Sequence, residues 1–82
     1  MLTSESSDKD ILDYNAGGQI LRNMTGITFI AWMSNYLNGQ PAYKAATVEL
    51  SGYISNPPLG KIPESEKIAI VRKLLNLGIE LK

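Results

Sequence analysis

The stretch TGITFIAWMSNYLNG, residues 25–39, decides the fold. Apolar residues recur in it at helical spacing, which predicts a helix from about Asn23 or Thr25 to Leu37. The positions on the main apolar face are Ile27, Ile30, Ala31, Met33 and Leu37. Three aromatic residues occupy a neighbouring face: Phe29, Trp32 and Tyr36. A helix that is apolar around so much of its circumference is typical of the centre of a bundle or of an interface.

Helical signals continue on both sides of this stretch. Upstream, Ser7 is a suitable N-cap for a short first helix, which Gly17-Gly18 should end. Downstream, Pro41 suits the first turn of a third helix that should run to about Ser55. A proline-rich loop over residues 56–63 then precedes a fourth helix, whose apolar stripe includes Ile68, Val71, Leu74, Leu75 and Leu81. Because no run alternates with period two, the predicted fold class is all-α: a small bundle of three substantial helices and one short N-terminal helix.

The length of 82 residues allows one small domain. We expect residues 1–6 to be a disordered leader and residues 7–82 to form a single helical domain. The first residues are polar and acidic, unlike a signal peptide, and no apolar run is long enough to span a bilayer. The sequence therefore predicts a cytoplasmic protein without a membrane partner.

Composition argues against an enzyme. The chain has no Cys and no His, so thiol chemistry, zinc ribbons and the commonest general base are excluded. Asp8, Asp10 and Asp13 are close in sequence, but acids near a helix N-terminus are expected from the helix dipole alone. We therefore predict no catalytic residues, no metal site, no cofactor and no small-molecule substrate.

The second and fourth helices carry more apolar residues than one narrow face requires. Either both helices are central to a monomeric bundle, or part of this surface contacts a second copy or another protein. We favour contact, with two groups of interface residues: Trp32, Met33, Tyr36 and Leu37 from the second helix, and Val71, Leu74 and Leu75 from the fourth. For Trp32 and Tyr36, four residues apart on one face, core packing and a half-exposed partner anchor both remain open.

Basic residues cluster along the fourth helix and its approach: Lys61, Lys67, Arg72 and Lys73. A solvated helix face is the simpler interpretation. The alternative is a weak contact with nucleic acid or an acidic partner. The formal net charge of zero gives little support to binding driven by counterion release.

Several residues together resemble a known family. The pattern begins with Ser7-Asp8-Lys9 leading to Tyr14, Gly18 and Leu21, and continues through the apolar helix to Leu37 and Gly39. It includes Lys44 near the start of the next helix and ends with Val71-Arg72-Lys73-x-Leu75. In these features the chain resembles the enterobacterial biofilm-development and acid-resistance regulators, the YmgB/AriR family, which includes two-component-system connector proteins.

This resemblance implies a small, non-enzymatic, helical regulator. Members look like homodimers that modulate a phosphorelay or a transcriptional programme by protein contact, and DNA association has been suggested among them. Besides a homodimeric connector with an unidentified regulatory partner, two hypotheses stay open from the sequence: a DNA-associated transcriptional modulator and a phage-type inhibitor of a host protein.

Overall fold

The computed structural model describes residues 1–82 and shows a predominantly helical chain. Its helices are α1 (Asp8–Leu12), α2 (Gly26–Leu37), α3 (Tyr43–Glu49), α4 (Ser51–Ser55) and α5 (Glu64–Asn76). A two-stranded antiparallel hairpin, β1 (Asn15–Ala16) and β2 (Gln19–Ile20), and a 3₁₀ turn (Leu21–Asn23) lie between α1 and α2. The predicted helical class is confirmed, and the hairpin is an addition to it.

Helix α2 is the central element, as its sequence predicts. Thr25 caps it, because its hydroxyl oxygen accepts a hydrogen bond from the Thr28 N–H at 3.4 Å. The side chains that α2 buries are those of Phe29, Ile30, Met33 and Leu37. Asn38 ends the helix, and Gly39 follows with a φ of 90°, which a glycine adopts without strain.

The Gly17-Gly18 pair forms the turn of the hairpin and does more than end the first helix. Both glycines have positive φ, 64° and 95°, and Asn15 pairs with Ile20 across the turn. Positive φ at both central residues is the requirement of the two-residue hairpin turn that suits the twist of the strands. The all-α prediction missed this hairpin because each strand has two residues, too few to show alternation.

The helix predicted from Pro41 to Ser55 is divided into α3 and α4. Leu50 separates them, with φ −98° and ψ 6°, outside the usual helical range. This change of direction buries the Leu50 side chain and also lets Ala46, on α3, lie in the core. Burial of two apolar side chains therefore accompanies the break.

Helices α1 and α5 begin where the sequence indicates. Ser7 caps α1 by accepting a hydrogen bond from the Asp10 N–H at 3.1 Å, and α5 starts directly after Pro63. Buried residues from α1, α2 and α5 join one hydrophobic core, which also contains Ile79 and Leu81 beyond α5. None of the helices combines the length and the apolar character needed to cross a membrane.

The first residues differ from the expected disordered leader. Leu2 is buried, and its N–H donates a hydrogen bond of 2.9 Å to the carbonyl of Leu81. Leu2 and Leu81 form an isolated antiparallel bridge. The sequence around Leu2 is polar, and its partner Leu81 is close to the other end of the chain, so no local pattern predicts this contact.

Candidate functional site

Charge is distributed very unevenly over the molecule. Between Asn23 and Gly60 only Lys44 and Glu49 are charged, and all the other charged residues lie in residues 1–22 and 61–82. Helices α2, α3 and α4 belong to the charge-poor stretch. The Glu49 carboxylate is 3.5 Å from the Lys73 ammonium on α5, so it is directed away from these three helices. Apart from Lys44, which is exposed on α3, and Glu49, which is paired with Lys73, these three helices therefore carry no charge of their own.

A groove of about 290 Å³ opens between α2, α3 and α4. Its lining residues are Ser34, Leu37, Asn38, Tyr43, Thr47 and Ile54. None of them is charged. Tyr43 and Ile54 are apolar side chains of considerable size that remain exposed at the groove, 42% and 37% respectively.

The outer face of α2 extends this surface. Ile27, Ala31 and Ser34 follow one another at spacings of four and three residues, so they share a face of the helix. Ile27 is 46% exposed, and Ser34 already lines the groove. We name the combined surface the uncharged face; its members are Ile27, Ala31, Ser34, Leu37, Asn38, Tyr43, Thr47 and Ile54.

Most of the residues predicted to form an interface lie inside the chain's own core. Met33, Leu37, Val71 and Leu74 are each 2% exposed or less. The apolar excess that motivated the prediction is thus largely explained by folding of the single chain. Leu37 forms part of the groove lining, and Leu75 is half-buried against the core. Of the predicted residues, only Trp32, Tyr36 and Leu75 therefore keep part of their side chains accessible on the closed domain.

Trp32 and Tyr36 belong to an aromatic cluster outside the groove. The Trp32 ring centroid is 5.4 Å from that of Tyr36, 6.0 Å from that of Tyr14 and 6.4 Å from that of Phe29. Trp32 also lies close to the hairpin turn, because a Cβ built on Gly17 would be 3.5 Å from its Cδ1. Burial raises the pKa of the Tyr14 phenol, and the neighbouring Tyr36 adds to this effect. The cluster packs the hairpin against α2.

We expect Trp32→Ala to lower the free energy of unfolding by about 3 kcal/mol, because it removes the ring at the centre of this cluster. Urea denaturation followed by circular dichroism measures the change. Trp32→Phe is the matched control and should lose less than half as much, since it keeps an aromatic ring. Unchanged stability in Trp32→Ala would contradict the packing role.

Lys67 is the most unusual charged residue in the chain. It is 1% exposed, and its ammonium donates hydrogen bonds to the carbonyls of Leu21 (3.0 Å), Arg22 (3.1 Å) and Met24 (2.6 Å). Burial lowers the pKa of Lys67, as does the positive charge of Lys61, whereas Glu64 acts in the opposite direction. Leu21 and Arg22 belong to the 3₁₀ turn and Met24 follows it directly. The Lys67 side chain therefore connects α5 to the segment that precedes α2.

The other predicted basic residues do not form a free patch. The Arg72 guanidinium contacts the Asp8 carboxylate at 2.6 Å, and the Lys73 ammonium contacts Glu49 at 3.5 Å. Lys61 is exposed to solvent, whereas Lys67 is buried. Of the four basic residues that the sequence grouped together, one is therefore buried and two are paired with carboxylates.

The acidic residues near α1 are also engaged in ion pairs. Asp13 contacts Lys9 at 2.8 Å and Arg22 at 2.6 Å, and the hydrogen bond from Lys9 lowers the pKa of this exposed carboxyl. Glu64 extends the network through a 3.3 Å contact with Arg22. No group of three acidic side chains is arranged to hold a metal ion.

Only Leu37 of the uncharged face was among the predicted interface residues, although a second pattern in the sequence coincides with this face. The interface prediction followed apolar periodicity, which in a small domain marks the core before it marks any surface. That second pattern is the absence of charge from residues 23–60, apart from Lys44 and Glu49. Interface cores are depleted in charged residues, whereas exposed surfaces in general are rich in them.

A scan against protein-family models, a search of curated proteins and a search of solved structures each found no match to this chain.

Proposed function

We propose that this chain is a small non-enzymatic regulatory protein that acts in the cytoplasm by protein–protein contact, as a homodimer. The observation that carries the proposal is the uncharged face, with its groove and its exposed Tyr43 and Ile54. The resemblance to connectors that modulate bacterial phosphorelays, biofilm formation and acid-stress responses supports the regulatory part of the proposal.

A second copy of the chain suits the uncharged face for two reasons. First, the face lacks charge, so two copies can meet there without like-charge repulsion. Second, in a twofold-symmetric dimer the same patch of each copy contacts its counterpart, so this patch must be complementary to itself in shape. The groove, which Ile54 helps to line, and the exposed Ile27 lie on the same face, so each copy can offer both a recess and an apolar side chain beside it.

Contact with protein is favoured over contact with nucleic acid. Binding to phosphates requires free Lys and Arg side chains. Here Lys67 is buried, and Arg72 and Lys73 are paired with acidic residues. The groove, in contrast, is lined only by uncharged side chains, half of them apolar, and interface cores are depleted in charged residues.

We expect Ile54→Lys to weaken self-association at least thirtyfold. The substitution places two like charges, one from each copy, at an interface that otherwise has none. Sedimentation equilibrium over a concentration series measures the dissociation constant, and circular dichroism checks that the variant folds.

The matched control is Asn76→Lys, which adds the same charge at an exposed position on α5, away from the groove. It should change the dissociation constant less than threefold. Equal effects of the two variants would mean that net charge, and not the uncharged face, governs self-association.

A further inference from the structure

The two ends of the uncharged face differ in shape, and we propose that each end fits the opposite end of a second copy. In this pairing the α2 helices of the two copies lie antiparallel, and Ile27 of each copy enters the groove of the other. The groove is therefore completed by a residue of the second copy. The pairing rests on the self-association proposed above, which it extends by naming the residues in contact.

Exposed apolar side chains are concentrated at the N-terminal end of α2. Ile27, in the first turn, is 46% exposed, and Leu59 is 87% exposed. Leu59 lies beside this end of the helix because both of its neighbours contact Gly26. The Gly60 carbonyl accepts a hydrogen bond of 2.8 Å from the Gly26 N–H, and a Cβ built on Gly26 would lie 2.8 Å from the Cβ of Pro58. Neither Ile27 nor Leu59 packs in the core of its own chain, so burial against a second copy is favourable.

The recess lies at the opposite end of the same helix. Ser34 and Leu37, from the last turn of α2, and Asn38, which follows it, form one wall of the groove. Residues of α3 and α4 form the remainder of its lining, and the groove encloses about 290 Å³. A cavity of roughly 150 Å³ is enough to hold benzene, so the groove has room for the aliphatic side chain of an isoleucine.

Ala31 lies between these two ends, on the same face of α2. Ile27 is four residues before it and Ser34 three residues after it, which corresponds to roughly 6 Å and 4.5 Å along the helix axis. Because these distances are similar, a twofold axis next to Ala31 places Ile27 of one copy opposite Ser34 of the other, at the edge of its groove. Ala31 is exposed, and its small side chain allows the two helices to approach closely.

The electrostatics of α2 favour the antiparallel arrangement. The helix has no acidic residue in its first turn and no basic residue in its last turn. Its own side chains therefore do not offset the partial positive charge at its N-terminus or the partial negative charge at its C-terminus. In an antiparallel pair each end lies beside an end of opposite sign, whereas a parallel pair brings like ends together. Charge complementarity therefore selects the antiparallel pairing.

Disulfide cross-linking tests this pairing, because the chain has no Cys of its own. Ala31→Cys places one thiol of each copy beside the twofold axis, within disulfide range. In a glutathione redox buffer, we expect the ratio of covalent dimer to monomer to be at least tenfold higher for Ala31→Cys than for Asn76→Cys at equal protein concentration. Asn76 is exposed on α5 and does not line the groove, so this control measures random collision.

Mixed cysteine variants determine the orientation of the helices. Ile27→Cys is mixed with a mass-tagged Ser34→Cys chain, and mass spectrometry identifies the covalent dimers. We expect the mixed disulfide to be the main product. Ile27→Cys alone should stay reduced, since its two thiols lie roughly 12 Å apart along the helices of an antiparallel pair, beyond disulfide range. Circular dichroism checks that each variant folds.

Two outcomes would overturn the pairing: equal cross-linking of Ala31→Cys and Asn76→Cys, or a preference of Ile27→Cys for itself over Ser34→Cys. Light scattering of the wild-type chain separates the possible failures. A dimer mass without the expected cross-links contradicts the antiparallel pairing alone, whereas a monomer mass up to millimolar concentration contradicts self-association as well. Adding Ile54→Lys to Ala31→Cys should lower cross-linking to the level of Asn76→Cys, and cross-linking that persists would contradict the place of the groove in the interface.

Discussion

Replacing Lys67 with Met should lower the free energy of unfolding by about 3–5 kcal/mol, enough to remove much of the stability of a domain this size. Methionine fills much of the space of the lysine stem but supplies no donor. The carbonyls of Leu21, Arg22 and Met24 would each lose the hydrogen bond that the ammonium now donates. The Leu21 carbonyl would keep the Met24 N–H as a donor at 3.2 Å, so the largest cost comes from the buried Met24 carbonyl, which the ammonium contacts at 2.6 Å. A buried acceptor left without a partner is more costly than the average hydrogen bond is stabilising.

Urea denaturation followed by circular dichroism measures this loss. Lys73→Met is the matched control, because Lys73 lies on the same helix but is exposed and forms only a 3.5 Å surface contact with Glu49. It should change stability by no more than about 0.5 kcal/mol. If the two variants unfold at the same urea concentration, the three carbonyl contacts do not stabilise the fold.

Gly26→Ala should also destabilise the domain, by about 2 kcal/mol, although alanine is the better helix former. A Cβ at Gly26 would lie 2.8 Å from the Cβ of Pro58, 2.9 Å from the Pro58 carbonyl oxygen and 3.0 Å from that of Gly60. Two of these three atoms are main chain, so the loop must move. Movement would also strain the 2.8 Å hydrogen bond from the Gly26 N–H to the Gly60 carbonyl.

Gly52→Ala is the control for this effect, because it lies in α4 and its added Cβ would meet no atom within 4 Å. There the loss of backbone freedom in the unfolded chain should stabilise the protein by about 0.5–1 kcal/mol. Thermal denaturation compares the two variants under identical conditions. A melting temperature for Gly26→Ala at or above that of the wild type would contradict the close approach of the loop to α2.

Local signals along the chain predict the helices well. Ser7 caps α1 as expected, α2 begins after Thr25, close to the predicted start, and Pro63 precedes α5. These features depend on residues within a few positions of one another, which a single sequence displays directly.

Contacts between distant residues explain most of the differences. The pairing of Leu2 with Leu81 and the burial of Lys67 against the 3₁₀ turn depend on residues far apart in the chain. A lysine in a helix is ordinarily expected to face solvent, so only the three converging carbonyls reveal its position. The break at Leu50 likewise follows from burial in the core, which helix periodicity does not encode.

At the candidate site, too, the sequence pattern could not predict which side chains the folded chain buries. Periodicity located the apolar residues correctly but could not divide them between core and surface, and Met33, Val71 and Leu74 proved to be core. Tyr43 and Ile54, which remain exposed at the groove, are not distinguished by spacing alone. The shortage of charge over residues 23–60 was readable beforehand and marks the same surface.

Solution mass by light scattering, over concentrations from micromolar to millimolar, tests the central claim most directly. The account predicts a rise from the monomer mass of 9.0 kDa towards twice that value as concentration increases. In the Ile54→Lys variant the rise should shift to at least thirtyfold higher concentration. A wild-type mass that stays at that of the monomer throughout would contradict self-association through the uncharged face.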